Sequence, residues 1–453
     1  MRCLKACTRS SALALAFTLA VLASAAPPVA RAAPRFVKGP YLMDVRPDSI
    51  AVLFELDSEM PAVVVARHGS GTELRVSSAA AISHEVVLRG LTPGTRYDYE
   101  VHAGGAGGGA GSFVTAPLPG STDATRFLVY GDARSDAAAH ARVLRGMREE
   151  AADFVVHTGD MVADGRDRAD WQELFDATRL LYAGLPVFPT LGNHEARSSG
   201  EGVPFYRHFV RTPRGPGDEA FYAFDYGPVR MLVLDSNQSF ERGSPQRAWL
   251  EAEADRAHEP SAPAHLFASI HHGPFSSGPH GPNAAIAGTD VERLLRRAKI
   301  ELIFEGHDHA YERGDADGLK YVVSGGAGAP LYVTNHELPF QLAFEPAHHF
   351  VRVAIQGPRV AVTAIRKDGS VLDACAFEKG SPWRCVGGRG GGRGRVVRSP
   401  LGLVEGLMRF APELGAALVV ALVVALGVRR VRASRAAAQQ RVEGKQPKKK
   451  GRR

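Results

Sequence analysis

The chain has 453 residues, 45% hydrophobic and 23% charged, which excludes a disordered protein and gives room for two folded domains with appendages. Its formal charge of +7 would suit a nucleic-acid partner only if it lay on the folded part. Eleven Lys and Arg against one acid, Glu443, fall between Arg429 and Arg453, and Arg2, Lys5, Arg9 and Arg31 precede Ala33, so the intervening chain carries −7 and no nucleic-acid binding is expected.

In chain order, residues 1–32 combine a basic start, an apolar run from Ser11 to Ala26 and two small-x-small sites, Ala23-Ser24-Ala25 and Ala30-Arg31-Ala32. This is the pattern of a secretory signal peptide. Cys3 and Cys7 lie ahead of the apolar run, which argues against a lipid-attachment cysteine. Residues 36–117 alternate polar and apolar in short segments (SIAVLFEL, AVVVARHG, SHEVVLRGL, TRYDYEVHA, SFVTAP) and are expected to form a small all-β sandwich. Leu91 to Tyr99 resembles the turn and strand of a fibronectin type III domain, and the glycines from Gly104 to Gly111 read as a hairpin tip.

From 124 to 380 the rhythm changes to apolar strands, each followed by a loop and a helical stretch, as in an α/β domain, with strands again after Lys320. Cys375 and Cys385 stand ten apart: a disulfide if the compartment is oxidising, otherwise two buried thiols. Residues 386–400 read as a Gly/Arg-rich linker. Residues 407–428 contain the charge-free run LGAALVVALVVALGV and read as a transmembrane helix, with 429–453 as a basic cytoplasmic tail. The alternatives for that run are a buried core helix or a sorting tail removed after export. The two flanking signals together predict a catalytic domain outside the cytoplasmic membrane and anchored to it.

Metal-binding side chains stand where the apolar strands end: Asp132 after FLVYG, Asp160 after FVVHTG, Asn193 and His194 after VFPTLG, His271 and His272 after LFASI, His307 and His309 after LIFEG. Strand ends of an open α/β sheet converge on a crevice, so five such strands deliver these groups to one edge. Carboxylates, an amide and imidazoles without cysteine suit iron, manganese or zinc, and their number fits two ions better than one.

The order Gly131-Asp132, Gly159-Asp160, Gly192-Asn193-His194-Glu195, a strand-end His, and Gly306-His307-Asp308-His309 resembles the five-motif signature of calcineurin-like phosphoesterases. Ala310-Tyr311-Glu312-Arg313, with the N-terminal sandwich ending in Phe113 to Pro117, is similar to purple acid phosphatases. The resemblance implies a four-layer α/β/β/α metallophosphoesterase sandwich preceded by the fibronectin-like unit, and a centre of two divalent or trivalent ions (Fe, Mn or Zn). It places Asp160 between the ions, Asp132 and His309 on the first, and Asn193, His271 and His307 on the second. His271 is preferred to His272 because Phe275 and Ser276 follow it at the family's spacing; His272 is left facing solvent or the substrate phosphate. His194 and His280 match positions that touch phosphate or protonate the leaving group.

Two departures stand out. Ala163 occupies the place of the tyrosine that gives the purple enzymes their colour, and Asp132-Ala133-Arg134 lacks the histidine that other members have at Arg134. The first ion is therefore one ligand short. His140 is a candidate replacement, the alternative being an exposed helix histidine; Arg134 is a candidate phosphate ligand, the alternative being an ion pair with Asp136 or Asp164. The expected function is hydrolysis of phosphate monoesters, with a phosphodiesterase or nucleotide pyrophosphatase as one alternative and a surface-binding module with impaired catalysis as another.

Overall fold

A computed structural model describes residues 34–386, apart from positions 70, 72, 105, 198, 199, 214, 218, 219, 260–262 and 334–337. The expected signal peptide, the linker beyond residue 386, the 407–428 helix and the basic tail lie outside the described residues. Among the described residues, no helix is long and apolar enough to cross a membrane.

Five strands open the chain: β1 (Phe36–Met43), β2 (Ser49–Arg67), β3 (Leu74–Arg89), β4 (Arg96–Ala103) and β5 (Ala106–Val114). Alternation follows with β6 (Thr125–Tyr130), α1 (Ala137–Arg148), β7 (Phe154–His157), α2 (Arg168–Tyr182), β8 (Val187–Pro189), α3 (Asn193–Ala196) and α4 (Val203–Phe209). A second run holds β9 (Tyr222–Tyr226), β10 (Val229–Leu234), α5 (Pro245–Arg256), β11 (His265–Ile270), α6 (Asp290–Arg297) and β12 (Leu302–Glu305). Strands close it: β13 (Tyr311–Ala316), β14 (Leu319–Ser324), β15 (Gln341–Glu345), β16 (His349–Gln356), β17 (Arg359–Arg366), β18 (Val371–Glu378) and β19 (Arg384–Cys385).

The strands form two sheets, one ordered β19-β18-β17-β16-β6-β7-β8-β1-β2-β4-β5 with β3 also on β2, the other β15-β13-β14-β12-β11-β10-β9. Near-continuous apolar strands such as β6, β7, β10, β11 and β12 are buried on both faces, which requires cover on each side. Between the sheets Phe127 stacks on Phe154 at 4.8 Å, Phe188 on Phe224 at 3.7 Å, and Phe154 meets Phe224 edge-on at 5.6 Å. Such pairs each contribute about 0.5–1.5 kcal/mol beyond burial, so this file of rings fixes how the sheets face each other. Outside the larger sheet, Val143, Met147, Trp171 and Leu174 of α1 and α2 pack with Leu128, Tyr130 and Val155. Outside the smaller, Leu250, Ala254, Leu294 and Leu295 of α5 and α6 pack with Leu232, Ala268 and Ile303. This is the expected α/β/β/α order of layers. Side chains of Asp136, Asp167, Ser244 and Thr289 cap α1, α2, α5 and α6.

The N-terminal strands depart from expectation in two ways. SIAVLFEL and AVVVARHG are not separate: they are halves of β2, which pairs with β1 and the end of β3 through Glu55 and, after an irregularity, with β4 and the start of β3 from Met60 or Ala62 onward. The glycines to Gly111 are not a hairpin tip either. Gly107, Gly108, Gly109 and Gly111 lie in β5, where the neighbours leave no room for side chains: a Cβ on Gly108 would sit 2.1 Å from the Phe36 ring and one on Gly111 2.1 Å from the Ala183 carbonyl. The β unit docks on the α/β part through Tyr41 Oη donating to the Phe209 carbonyl (2.9 Å), Gln172 Nε2 to that of Val37 (2.7 Å) and Tyr99 Oη to that of Ala183 (3.0 Å). Its fibronectin type III character rests on the sequence of residues 91–99.

Cys375 and Cys385 face each other across β18 and β19 and are joined as a disulfide. Replacing both by serine should lower the unfolding free energy by at most about 3 kcal/mol, the loop-closure contribution for so short a loop, and leave metal content unchanged. Denaturant titration of wild type and double variant checks this; identical midpoints would show that strand pairing alone holds this edge.

Candidate metal centre

The candidate ligands follow the carboxyl ends of β6, β7 and β8 in one sheet and β11 and β12 in the other, so the centre straddles the seam between them. Within each sheet these strands run parallel, which turns all five ends the same way. The chain leaves them abruptly: Asp132, Asp160 and His307 have φ of +58°, +54° and +68°. Non-glycine residues seldom adopt this region, and where they do the surroundings must hold them.

Much of that holding comes from Glu195, a fully buried carboxylate in α3. Its Oε2 accepts from the backbone N–H of Asp160 and of Gly192, both at 2.9 Å, and its Oε1 from that of Val162 at 3.0 Å. One side chain thus straps the β7 turn to the β8 turn. Burial, with the Asp160 charge adding to it, pushes the Glu195 carboxyl up to about 8, against three N–H donors that favour the carboxylate. Glycine at 192 is required by the same crowding, since a Cβ there would lie 2.3 Å from the Asp160 nitrogen.

Asp160 is the centre of the cluster. Its Oδ1 accepts from the His194 N–H (3.0 Å) and lies 3.2 Å from His271 Nε2; its Oδ2 accepts from Arg134 Nε at 3.4 Å and lies 3.7 Å from His194 Nε2. Burial works against its charge, but His271, His194 and Arg134 outweigh this and hold it below the usual carboxylate range. Asp132 accepts the His307 N–H on Oδ2 (3.0 Å), while its Oδ1, buried and without a hydrogen-bond donor, lies 3.4 Å from His309 Nε2.

The imidazoles are oriented from behind. His271 Nδ1–H donates to the Thr158 carbonyl at 2.8 Å and His309 Nδ1–H to that of Pro330 at 2.7 Å, which turns both Nε2 lone pairs inward. Ser236 Oγ bonds His272 Nδ1 at 2.7 Å. Burial, followed by the neighbouring His271, drives the His272 pKa down to about 3 and that of His307 lower still. Both rings are therefore neutral at physiological pH, the form that ligates metal.

Donor atoms of Asp132, Asp160 and His271 lie within 4.8 Å of one another, as do those of His271, His272 and His307. Asn193 joins them with Oδ1 at 3.0 Å from His271 Nε2. Acceptors turned on one another in this way, with an orphaned carboxylate oxygen among them, need positive charge between them. The donor set fits metal ions.

Sequence reading and geometry diverge at three residues, His272, His140 and Arg134. His272 is not turned to solvent: it stands with His271 and His307, 3.9 Å from the His307 ring centre. His140 is neither a ligand nor an exposed helix residue. It is buried on α1 beside Tyr130, Nε2 has no partner, burial takes its pKa down to about 4, and it belongs to none of the three potential metal-binding groups found among the described residues. Arg134 pairs with neither Asp136 nor Asp164 but turns inward onto Asp160 and His309. His280 lies over His307 with ring centres 3.9 Å apart, and its Nδ1 bonds Asp308 Oδ1 at 2.7 Å, while Ser276 holds the other carboxylate oxygen. Glu195, Ser236 and Asp308 were not singled out from the sequence as functional. The signal for two of them was their place inside Gly192 to Glu195 and Gly306 to His309. His272, His280, Ser236 and His307 line a cavity of about 350 Å³ open to a ligand.

Because each buried N–H left unpaired costs about 1–3 kcal/mol, Glu195→Ala should destabilise the fold by about 3 kcal/mol or more, measured by urea unfolding. A loss below about 1 kcal/mol would show that the two turns hold their shape without this strap.

A family model for calcineurin-like phosphoesterases matches residues 125–311. The chain is 26% identical over 263 residues to purple acid phosphatase 21 of Arabidopsis thaliana, covering 54% of this chain and 58% of that protein. It is 24% identical over 269 residues to a nucleotide pyrophosphatase/phosphodiesterase of Hordeum vulgare, covering 49% and 73%. The chain thus spans only about half to three quarters of the length of these relatives. Among solved structures, purple acid phosphatase PPD1 from yellow lupin (Lupinus luteus) seeds superposes with a TM-score of 0.66 at 17% identity, covering 76% of this chain and 74% of that one. A structure of PhoD superposes with a TM-score of 0.65 at 15% identity, covering 82% and 95%. At these identities the superpositions speak for the fold. Over residues 125–311 the chain is a calcineurin-like metallophosphoesterase domain related to the purple acid phosphatases.

Proposed function

We propose that the chain hydrolyses phosphate monoesters at the seam between its two sheets. The observation that carries this is the convergence of Asp132, Asp160, Asn193, His271, His272, His307 and His309 beneath a cavity, with the His271 and His309 tautomers fixed from behind. Two ions would be held with Asp160 between them, Asp132 and His309 on one side, Asn193, His271 and His307 on the other. Bound there, they supply Lewis acidity to phosphoryl oxygens. His280 is backed by the Asp308 carboxylate and suits holding a proton for the leaving oxygen. His194 is fixed by its Nδ1–H donating to the Ala163 carbonyl at 2.5 Å, which keeps Nε2 on the Asp160 side where phosphate would approach.

This centre has Ala163 where the purple enzymes have their tyrosine. Ala163 offers only a backbone carbonyl, Tyr130 Oη is bonded to Tyr182 Oη at 2.5 Å and Tyr311 Oη to Asp373 at 2.9 Å. A metallophosphatase without the purple colour is the corresponding reading. The likeness to a nucleotide pyrophosphatase/phosphodiesterase favours diesters and pyrophosphates as a second substrate class.

Residues 1–32, and 407–428 followed by basic residues 429–453, support export with the catalytic domain tethered outside the cytoplasmic membrane. The Cys375–Cys385 disulfide is the chemistry of such a compartment.

Asp160→Asn removes the charge shared by both halves of the centre and should lower phosphomonoester turnover by about a hundredfold or more while the variant stays folded. Near-normal turnover with full metal content would refute the reading. For location, protease added to spheroplasts should digest the catalytic domain and spare a tag placed after Arg453; equal digestion of both would overturn the orientation.

A further inference from the structure

Arg134 stands where the family pattern would have a histidine, and its guanidinium uses the acceptors that the first ion needs. Nε donates to Asp160 Oδ2 at 3.4 Å and Nη2 to His309 Nε2 at 3.3 Å, the nitrogen left as an acceptor once Nδ1–H is given to Pro330. Asp132 Oδ1, buried and without a hydrogen-bond donor, lies 3.4 Å from that same His309 nitrogen. The guanidinium is largely withdrawn from solvent, with its side chain 15% exposed, so its charge is only partly screened. A divalent ion within a few ångströms of it would meet strong repulsion, and the two cannot share these acceptors. The other half of the centre is different: around Asp160 it presents an amide and imidazoles, Asn193, His271, His272 and His307.

We propose that Arg134 is a built-in cation of the first half of the centre. It neutralises Asp160 and holds His309, and a divalent ion enters that half only by displacing it. The second half loads without this competition, so the two ions bind with unequal affinity. An alternative place for the displaced side chain adjoins the centre, a small cavity bounded by Arg134, Ser135, His140, Ala163, Asp170 and Glu173, where two carboxylates would receive it. The inference rests on the reading of the cluster as a metal centre, and its test separates the two.

Chelator-treated protein is titrated with Mn²⁺ or Zn²⁺ by calorimetry, with bound metal counted by elemental analysis. Wild type should bind one ion tightly and a second much more weakly. Arg134→Gln and Arg134→Ala should each strengthen the weaker phase about tenfold or more and leave the tighter one nearly unchanged. Arg134→Lys, which keeps a charge, should retain the weak phase; together with thermal unfolding of each variant, this distinguishes lost charge from lost structure. Two ions of equal, high affinity in wild type would overturn the inference and leave the metal-centre reading standing, as would a weaker phase unmoved or weakened in both neutral variants. Absence of any bound ion in wild type and variants alike would overturn both.

Discussion

The buried carboxylate of Asp160 is the constraint on which the centre depends. A charge withdrawn from water must be met by donors and cations within reach, and here the His194 N–H and the Arg134 guanidinium supply them. Its own backbone N–H is tied to Glu195, and the left-handed turn it occupies needs that tie. The glycines before Asp160 and Asn193 follow from the same crowding: a Cβ on Gly159 would sit 2.6 Å from His271 Nδ1. Composition at the strand ends is thus dictated by one group and the space around it.

The centre also depends on a core it does not touch. Asp132, Asp160 and Asn193 belong to one sheet, His271, His307 and His309 to the other, so the distance between metal-binding atoms is set by how the sheets pack. The rings of Phe127, Phe154, Phe188 and Phe224 fill that space in stacked and edge-on contacts. Close-packed interiors do not yield smoothly to changes of volume, which links the aromatic file to the geometry of the site some distance away.

Much of this was legible from sequence. Runs such as FLVYGD and LIFEGHDH announce buried parallel strands ending in ligands, because apolar character stops where the chain must turn polar. That His309 would stand with Asp132, and His271 with Asp160, was implied by the resemblance to calcineurin-like phosphoesterases. What sequence did not disclose was three-dimensional accommodation. Whether His140 faces Asp132 or the core depends on the register of α1 against β6, and the core won: its ring packs beside Tyr130. Arg134 has two nearby acids in sequence, yet a carboxylate 26 positions away takes it. The glycines of β5 read as a flexible tip because nothing local shows that Phe36 and Ala183 press against them.

The junction between the N-terminal strands and the α/β part has a further consequence. β8 is three residues long, and on its far side the larger sheet continues through β1, joined to it in parallel by the single pair Met43 and Val187, into β2, β4 and β5. Without β1, β8 would be a border strand with unsatisfied backbone groups, the kind of edge along which sheets from different molecules add to one another. The small β unit is therefore a seal on the catalytic sheet. In terms of solubility and assembly, its presence turns a surface that invites intermolecular β-augmentation into one continuous with a folded neighbour.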